Sequence, residues 1–315
     1  MESEQMTKYS VIILFEEMNA GFSDFLQALN NVFSSRQETF EIIIVANGTG
    51  EFLRGELEKL GGYNGALRAF ELNEKTSQAV RLRAGFEESR GEIILICGSQ
   101  QQLTQESISK ALDSLDGSTD IVNPWRQQRL DPAFNQFQSR IYNCLVRKLT
   151  KSGLHDLSCP IKIVRREVLK HTELYGNMYG FMPVLAEQKG FRTKEIECAH
   201  HEQVRGEVGL YHLSLYVERM IDLFALYFVT RFNKKPLRFF SLFGTLMLIM
   251  GFIIYCYISV EKILLGHPIG ERPLLLIGVF LTVLGIQVAS MGLLGEIIAF
   301  AHGRHKPQYT IEKSI

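Results

Sequence analysis

The chain lacks the features that mark several common classes of protein. Its five cysteines are Cys97, Cys144, Cys159, Cys198 and Cys256. They include no CxxC pair and no metal-ligand spacing, which argues against a disulfide framework or a structural metal site and favours reduced thiols on the cytosolic side of a membrane. Lys plus Arg and Asp plus Glu both number 34, so no excess of charge indicates a nucleic-acid partner. The polar start, residues 1–8, predicts no signal peptide.

Charge is also missing from two long stretches near the C-terminal end. Residues 239–260 contain no charged side chain, and residues 274–295 have Gln287 as their one strongly polar interruption. At about 1.5 Å per residue, each stretch forms a helix roughly 33 Å long, which is enough to cross a bilayer. The sequence therefore predicts two transmembrane helices joined by a short loop.

Basic residues flank this pair on its outer ends, and they are Lys234, Lys235, Arg238, Arg304, His305 and Lys306. Positive residues stay on the cytoplasmic side of a membrane. We therefore expect an integral, multi-pass membrane protein whose large N-terminal part and both termini are cytoplasmic.

The first two hundred residues alternate short apolar runs with segments of helical spacing. The predicted strands are Tyr9–Phe15, Phe40–Ala46, Leu67–Leu72, Glu92–Cys97 and Asp120–Val122. The predicted helices are Phe22–Phe33, Gly50–Leu60, Thr76–Ser89, a helix from about Thr104, and Phe137–Leu149. This alternation is typical of an α/β fold with a mostly parallel sheet and helices on both faces.

The predicted organisation has four parts. Residues 1–208 form the cytoplasmic α/β domain, and residues 209–236 form amphipathic helices suited to a membrane surface or a dimer contact. Residues 237–303 hold the two transmembrane helices, and residues 304–315 form a cytoplasmic tail.

The stretch Gly91–Ile108 organises the α/β domain. Its apolar run ends abruptly at Gly98–Gln102, in the sequence Gly-Ser-Gln-Gln-Gln. Ligands of open α/β sheets gather at the carboxyl ends of the strands. We therefore expect the chemistry of the protein at this loop.

This stretch resembles the central motif of family 2 glycosyltransferases of the GT-A fold, in the polyprenyl-phosphate group that includes dolichol-phosphate mannose synthase. In that family the strand ends in Asp-x-Asp followed by Leu-Gln, and the two carboxylates hold Mg²⁺ or Mn²⁺. Here the Asp positions fall on Gly98 and Gln100, and only the final Gln survives, as Gln102. The resemblance implies a divalent cation, but these residues give it no ligands, and we predict no metal site.

Further segments carry the resemblance to the nucleotide site. Glu41–Glu51 resembles the family's Glu-Ile-x-x-Val-Asp-Asp-Gly-Ser-Thr-Asp, and Gln78–Phe86 resembles its Ala-Ala-Leu-x-x-Gly-Phe helix, whereas the first loop, 14–18, departs from Pro-x-Tyr-Asn-Glu. The resemblance assigns the donor-nucleotide site to Phe15, Glu17, Ala46, Asn47, Gly48, Gln78, Gly98, Gln100 and Gln102.

The resemblance also implies a phosphate- and acceptor-binding region. Residues 123–132 resemble Gly-Trp-Arg-x-x-Arg-x-Asp, and Asp156–Val168 resembles Asp-x-x-Cys-x-x-Lys-x-x-Arg-Arg-Glu-Val. The positions that it assigns to phosphate or acceptor are Trp125, Arg126, Arg129, Lys162 and Arg205. Arginine suits phosphate because its planar fork donates two parallel hydrogen bonds. Asp156 is a candidate catalytic carboxylate, and the alternative for it is a structural hydrogen-bonding role.

Three functions are compatible with these observations, and the preferred one is a membrane-bound relative without ordinary metal-dependent catalysis, serving as a scaffold or regulatory partner. The departures from the family pattern fall mostly at positions where the family carries polar residues. In this chain those positions are Ala46, Gly98, Gln100, Asn177, Tyr179, Gly180 and Gln203. The alternative is an active enzyme that transfers a sugar from a nucleotide-sugar to polyprenyl phosphate through a metal-independent or altered site. A plain lipid- or nucleotide-binding module is a third reading. Expected partners are membrane lipid, nucleotide-sugar and polyprenyl phosphate, with a homo-oligomer or another membrane protein as further partner.

Overall fold

The computed structural model describes residues 7–16, 21–47, 67–73, 76–127, 144–147, 153–157, 159–174, 176, 178–199, 221, 223, 236–265 and 273–303. The chain divides into two compact units, Met1–Leu226 and Tyr227–Ile315. Three predicted segments lie wholly or mostly outside the described residues: the helix at Gly50–Leu60, the helix at Phe137–Leu149 apart from residues 144–147, and nearly all of the amphipathic region 209–236.

Seven strands form one sheet in the first unit. They are β1 (Tyr9–Phe15), β2 (Phe40–Asn47), β3 (Leu67–Leu72), β4 (Ile93–Gly98), β5 (Ile121–Gln127), β6 (Lys162–Arg165) and β7 (Thr193–Ala199). In the described part of this unit, the main helices are α1 (Phe22–Ser34), α2 (Gln78–Glu88), α3 (Gln105–Asp113), α4 (Arg166–His171) and α5 (Met182–Glu187). The order across the sheet is β3-β2-β1-β4-β6-β5-β7.

All the strand pairs are parallel except those made by β6, which runs antiparallel to both β4 and β5. The carboxyl ends of six strands and the amino end of β6 therefore meet at one edge of the sheet. The predicted α/β class with a mostly parallel sheet is confirmed.

Each face of the sheet has its own apolar core because successive strand side chains point to opposite faces. Val11, Ile13 and Phe15 of β1 pack with helices α1 and α3 on one face. Ile12 and Leu14 pack with α2, α4 and α5 on the other. Burial on both faces explains why the strands are continuous apolar runs rather than alternating ones.

Strand β5 is longer than the sequence predicts. The predicted strand ends at Val122, because a proline usually interrupts a ladder of hydrogen bonds. In the structure β6 pairs with β5 only at Ile121 and Val122, whereas β7 pairs with it as far as Gln127. Pro124 therefore lies on a part of β5 that β6 no longer flanks. Trp125 and Arg126 consequently stand on a strand rather than on a loop.

The second unit contains two long apolar helices, α6 (Pro236–Leu265) and α7 (Pro273–Gly303). Both contain a segment long and apolar enough to cross a membrane, Leu237–Leu264 and Pro273–Ile298. These segments contain the two predicted spans, so the two helices could form a transmembrane hairpin.

Glycines bring α6 and α7 into close contact. Gly244 and Gly251 stand seven residues apart on α6, and α7 carries a similar seven-residue repeat at Gly278, Gly285 and Gly292. A Cβ atom on Gly285 would lie 2.9 Å from the carbonyl oxygen of Gly244. Small residues allow such backbone approach between membrane helices, where van der Waals packing drives association.

The pair is also joined at one end by a polar contact. The backbone N–H of Leu237, at the start of α6, donates to a carboxylate oxygen of Glu296 on α7 at 3.3 Å. A helix begins with unpaired N–H groups and a partial positive charge, and a carboxylate satisfies both. Glu296 is thus placed to stabilise the start of its partner helix.

Candidate functional site

The site lies at the sheet edge where the strands end. Phe15 is level with Ala46 of β2, and Leu14 is level with Gly98 of β4. The side chains of Phe15 and Ala46 lie in the apolar core and are about 1% exposed or less. A ligand at this edge would therefore meet the residues that follow these strands rather than the side chains of Phe15 and Ala46.

An arginine that sequence reasoning missed stabilises the end of β1. The guanidinium of Arg81, on α2, donates to the carbonyl oxygen of Phe15 at 2.7 Å and to a carboxylate oxygen of Glu16 at 2.8 Å. Gln78 donates to the same oxygen of Glu16 at 3.0 Å. The spacing of Gln78 and Arg81 was the available signal, because helix residues three apart share a face.

Asn47 joins the end of β2 to the segment before α2. Its amide nitrogen donates to the carbonyl oxygen of Thr76 at 3.0 Å, and its amide oxygen accepts from the hydroxyl of Thr76 at 2.9 Å. An aspartate could accept from the hydroxyl but could not donate to the carbonyl. Asparagine therefore matches both groups of Thr76. Asn47, which the resemblance assigns to the nucleotide site, has a structural role in this contact.

The central loop follows β4 and carries no acidic side chain. A Cβ atom added to Gly98 would meet nothing within 4 Å, so the position borders open space. Gln100 is exposed, and Gln101 donates to the carbonyl oxygen of Leu103 at 3.1 Å. Cys97, just before the loop, is buried in the core, and this burial raises the pKa of its thiol.

A buried ion pair lies beside this loop. Arg126 donates through Nε to one carboxylate oxygen of Asp156 at 2.8 Å and through Nη2 to the other at 3.1 Å. The two side chains are only 5% and 4% exposed. The Nη1 atom of Arg126 also donates to the amide oxygen of Gln102 at 2.9 Å. One guanidinium therefore connects the central loop, β5 and the segment that carries Asp156.

Lys162 lies at the same edge, at the amino end of β6, and is fully buried. Its ammonium donates to the side-chain oxygen of Asn123 at 2.9 Å and to the carbonyl oxygens of Cys159 at 3.2 Å and Leu157 at 3.5 Å. An ammonium has three N–H donors. These three contacts match that number, and they direct Lys162 inward rather than toward a ligand phosphate.

Glu195 of β7 anchors the segment next to this pair. Its carboxylate accepts from the backbone N–H of His155 at 2.8 Å and from that of Asp156 at 3.0 Å. The ring of His155 stacks on Trp125, with ring centroids 4.4 Å apart and planes 14° from parallel. Sequence reasoning did not include Glu195 or His155, and their roles depend on contacts across 30 to 40 residues of chain.

Tyr179, one of the positions that depart from the family pattern, is a core residue. The tyrosine is 4% exposed and packs in the core beneath the sheet. Its hydroxyl donates to the carbonyl oxygen of Pro160, and its ring lies 5.8 Å from the ammonium of Lys162. Tyr179 therefore contributes to packing rather than to the ligand edge of the sheet.

Four predicted site residues, Glu17, Gly48, Arg129 and Arg205, lie outside the described part of the chain. Among the described residues, no group of three or more His, Cys, Asp or Glu side chains is arranged to hold a metal ion. Gly98 offers no ligand, and the Gln100 amide is a weak ligand for Mg²⁺ or Mn²⁺, which prefer charged oxygen donors. The residues on which the family's cation depends therefore do not fit it.

The buried lysine predicts a pH dependence of stability. Burial lowers the pKa of Lys162 to about 8, from about 10.5 when the chain is unfolded. Between these two values the unfolded chain binds a proton that the folded chain lacks, so stability rises with pH through this window. We expect the free energy of unfolding of the wild type, relative to Lys162→Met, to increase by about 2–3 kcal/mol from pH 8 to 10.5.

Urea denaturation of the full chain in detergent, followed by the fluorescence of Trp125, measures this difference. Trp125 is the single tryptophan of the chain, so it reports on the first unit. Titrations at half-unit pH intervals on both variants cancel the contribution of every other titrating group. Parallel curves for the two variants would contradict the prediction.

The strand order, the site at the carboxyl edge and the two apolar helices define a GT-A-type α/β protein. The sequence profile of Glycosyl transferase family 2 matches residues 10–172, which is more than half of the 315 residues. The chain belongs to this family, as its motifs predict.

Curated relatives align over nearly the whole chain. A dodecaprenyl-phosphate galacturonate synthase of Rhizobium johnstonii is 29% identical over 310 residues, which cover 96% of this chain and 91% of the relative. An undecaprenyl-phosphate 4-deoxy-4-formamido-L-arabinose transferase of Pseudomonas paraeruginosa is 29% identical over 313 residues, covering 97% and 90%. The similarity therefore includes the two apolar helices as well as the sheet.

Solved structures share the fold at lower identity. A mannosyltransferase of Pyrobaculum calidifontis in complex with GDP-Man and Mn²⁺ has a TM-score of 0.50 at 15% identity, over 93% of this chain and 75% of that one. Glucosyl-3-phosphoglycerate synthase of Mycobacterium tuberculosis in complex with UDP has a TM-score of 0.53 at 13% identity, over 71% and 80%. These similarities establish the GT-A architecture.

Proposed function

We propose that the protein is an active glycosyltransferase that moves a sugar from a nucleotide-sugar to polyprenyl phosphate at a membrane. The observation that carries the proposal is the end-to-end similarity to transferases that are named for polyprenyl-phosphate acceptors. A soluble sugar acceptor would give no reason to retain the two apolar helices. A membrane-embedded lipid acceptor does give one.

The reaction is a displacement at the anomeric carbon of the sugar. A phosphate oxygen of the acceptor supplies the electron pair for the new C–O bond, and the bond from that carbon to the nucleoside diphosphate breaks with its pair. A phosphate monoester loses its second proton near pH 6. The acceptor is therefore largely a dianion at neutral pH, and the transfer needs no general base.

This chemistry assigns Asp156 a positioning role. A base is not needed, and both carboxylate oxygens of Asp156 accept from Arg126. The ion pair and Gln102 together hold the central loop in place, and we assign the leaving group to this loop. Preorganised groups of this kind contribute to catalysis because they cost no rearrangement during the reaction.

The orientation proposed from sequence fits this reaction. Basic residues at the outer ends of the two apolar helices, at 234–238 and 304–306, favour a cytoplasmic location for the first unit and for both ends of the hairpin. Nucleotide-sugar and the phosphate headgroup of the lipid would then meet at the cytoplasmic face.

A second candidate function is nucleotide or lipid binding without turnover. The observation that favours it is the replacement of both metal-binding carboxylates, at Gly98 and Gln100. The curated relatives are themselves named as synthases and transferases, which supports an active enzyme over a protein that binds without turnover. We therefore rank the transferase first, and this reverses the preference drawn from the sequence motifs.

The test is a transfer assay on the full chain in nanodiscs. Undecaprenyl phosphate and a panel of UDP-sugars plus GDP-mannose are the substrates, and mass spectrometry detects the glycosylated lipid. We expect one donor to give product, and Gln102→Ala to reduce the rate by about 10²-fold. Lys110→Ala, on the exposed face of α3, is the matched control. Binding of UDP or GDP without product from any donor would favour the second candidate.

A further inference from the structure

The central loop, residues 98–102, carries neutral amides and no carboxylate, in contrast to the Asp-x-Asp motif that it resembles. The positions that would carry two carboxylates are Gly98 and Gln100, and the residue four places after Gly98 is Gln102. Gln100 is exposed, and the space beside Gly98 is open. An amide can donate a hydrogen bond to a phosphate oxygen, whereas a carboxylate repels it.

Three carboxylates in the described part of this edge already have partners within the protein. Asp156 accepts from Arg126 through both oxygens. Glu16 accepts from Arg81 and Gln78. Glu195 accepts from two backbone N–H groups. A cation that recruited any of these carboxylates would compete with the partners that the carboxylate already has.

The charge balance of the edge is also changed. In a loop with two carboxylates, a divalent cation offsets two negative charges, and the diphosphate then meets a site of about zero net charge. Here the loop is neutral, and the adjacent Arg126–Asp156 pair is neutral as well. The diphosphate would meet the same net charge without any metal ion.

A fixed guanidinium, that of Arg126, adjoins the loop. The guanidinium of Arg126 is only 5% exposed and contacts Gln102 at 2.9 Å. Its charge is balanced by Asp156, and its Nη1 group donates to Gln102 in a region of low dielectric, where hydrogen bonds are stronger than in water. The loop is therefore held by a fixed donor, without a free ion.

We propose that this site binds a nucleoside diphosphate, and transfers its sugar, without a divalent cation, and that Gly98 and Gln100 determine this independence. The inference rests on the proposed function, since it concerns the donor substrate of the same site. Gln100 contributes an amide in place of a metal ligand, and Gly98 leaves room for the diphosphate itself.

Isothermal titration of the full chain in nanodiscs with UDP and with GDP tests the inference. Each titration is run with EDTA and again with saturating Mn²⁺. We expect the dissociation constant of the wild type to differ by less than about threefold between the two conditions. The variant Gly98→Asp/Gln100→Asp restores both carboxylates, and its affinity should rise by about tenfold or more with Mn²⁺. The variant Gly98→Ala/Gln100→Ala removes the amide without adding charge, and it should show no response to Mn²⁺.

The outcomes separate this inference from the proposed function. Wild-type binding that requires Mn²⁺ would overturn the cation independence and leave sugar transfer intact. Equal response of the two double variants to Mn²⁺ would overturn the assignment to these two positions. Absence of UDP and GDP binding under every condition would contradict the proposed function itself. The nanodisc transfer assay, repeated with EDTA, extends the same comparison to turnover.

Discussion

Replacing Asp156 with leucine should lower the free energy of unfolding by about 3–5 kcal/mol, because it leaves a buried guanidinium without its counter-ion. The reciprocal change Arg126→Met should cost a similar amount. The double variant Arg126→Met/Asp156→Leu should recover most of the loss, since apolar residues of similar volume can replace a buried ion pair at little cost. Urea denaturation followed by Trp125 fluorescence measures all three variants, and the double-mutant cycle isolates the coupling.

The exposed pair Arg83–Glu87 is the matched control for this cycle. Its side chains are 78% and 61% exposed, with 2.9 Å between the charged atoms. Breaking it with Glu87→Leu should change stability by less than about 0.5 kcal/mol. Two outcomes would show that the ion pair is not a structural centre of the site. In the first, the two single losses of unfolding free energy add in the double variant. In the second, neither loss exceeds that of the control. We further expect the double variant to remain inactive in transfer, because Gln102 has lost its anchor.

Replacing Gly285 with leucine should separate the two apolar helices. A Cβ atom alone would lie 2.9 Å from the carbonyl oxygen of Gly244 and 2.9 Å from a side-chain carbon of Leu248, so a larger side chain has no space. The backbones must move apart and lose contacts along the whole seam. We expect a destabilisation of at least about 2–3 kcal/mol, seen as a lower thermal midpoint of the full chain in nanodiscs by circular dichroism at 222 nm.

Val283→Leu provides the control on the same helix. Val283 is 48% exposed, so its added carbon points into open space within this unit. Its thermal midpoint should stay within about 2 °C of the wild type. An equal midpoint for Gly285→Leu and the control would show that the seam does not depend on close backbone approach.

The strands that lie within one apolar run were predictable from sequence. The limits of β1 and β3 agree with the predicted ones, and α3 begins directly after Thr104, as predicted. These elements are determined by periodicity and by local breakers such as the Gly-Ser-Gln loop. The extent of β5 was not predictable, because it depends on which neighbour pairs with the strand beyond Val122.

The site was predictable in outline and not in its contacts. The loop after β4 was identified, since an apolar run ending in polar residues marks a strand end. The partner of Arg126 lies 30 residues away in sequence, and that of Asn47 lies 29 away. Lys162 was predicted to bind phosphate from its place in a motif. Its full burial follows from β6 entering the sheet between β4 and β5, which no local pattern reveals.

The seven-residue spacing of the glycines has a consequence for how the two apolar helices select their alignment. A shift of one helix by seven residues would place Gly244 opposite Gly292 and Gly251 opposite Gly285. The glycine-bearing faces of the two helices would then match again. The glycine faces alone therefore do not specify a single alignment. The short connection, residues 266–272, and the contact of Glu296 with Leu237 distinguish between the two alignments. Contacts at the ends of the two helices therefore fix the alignment that the glycine repeat leaves open.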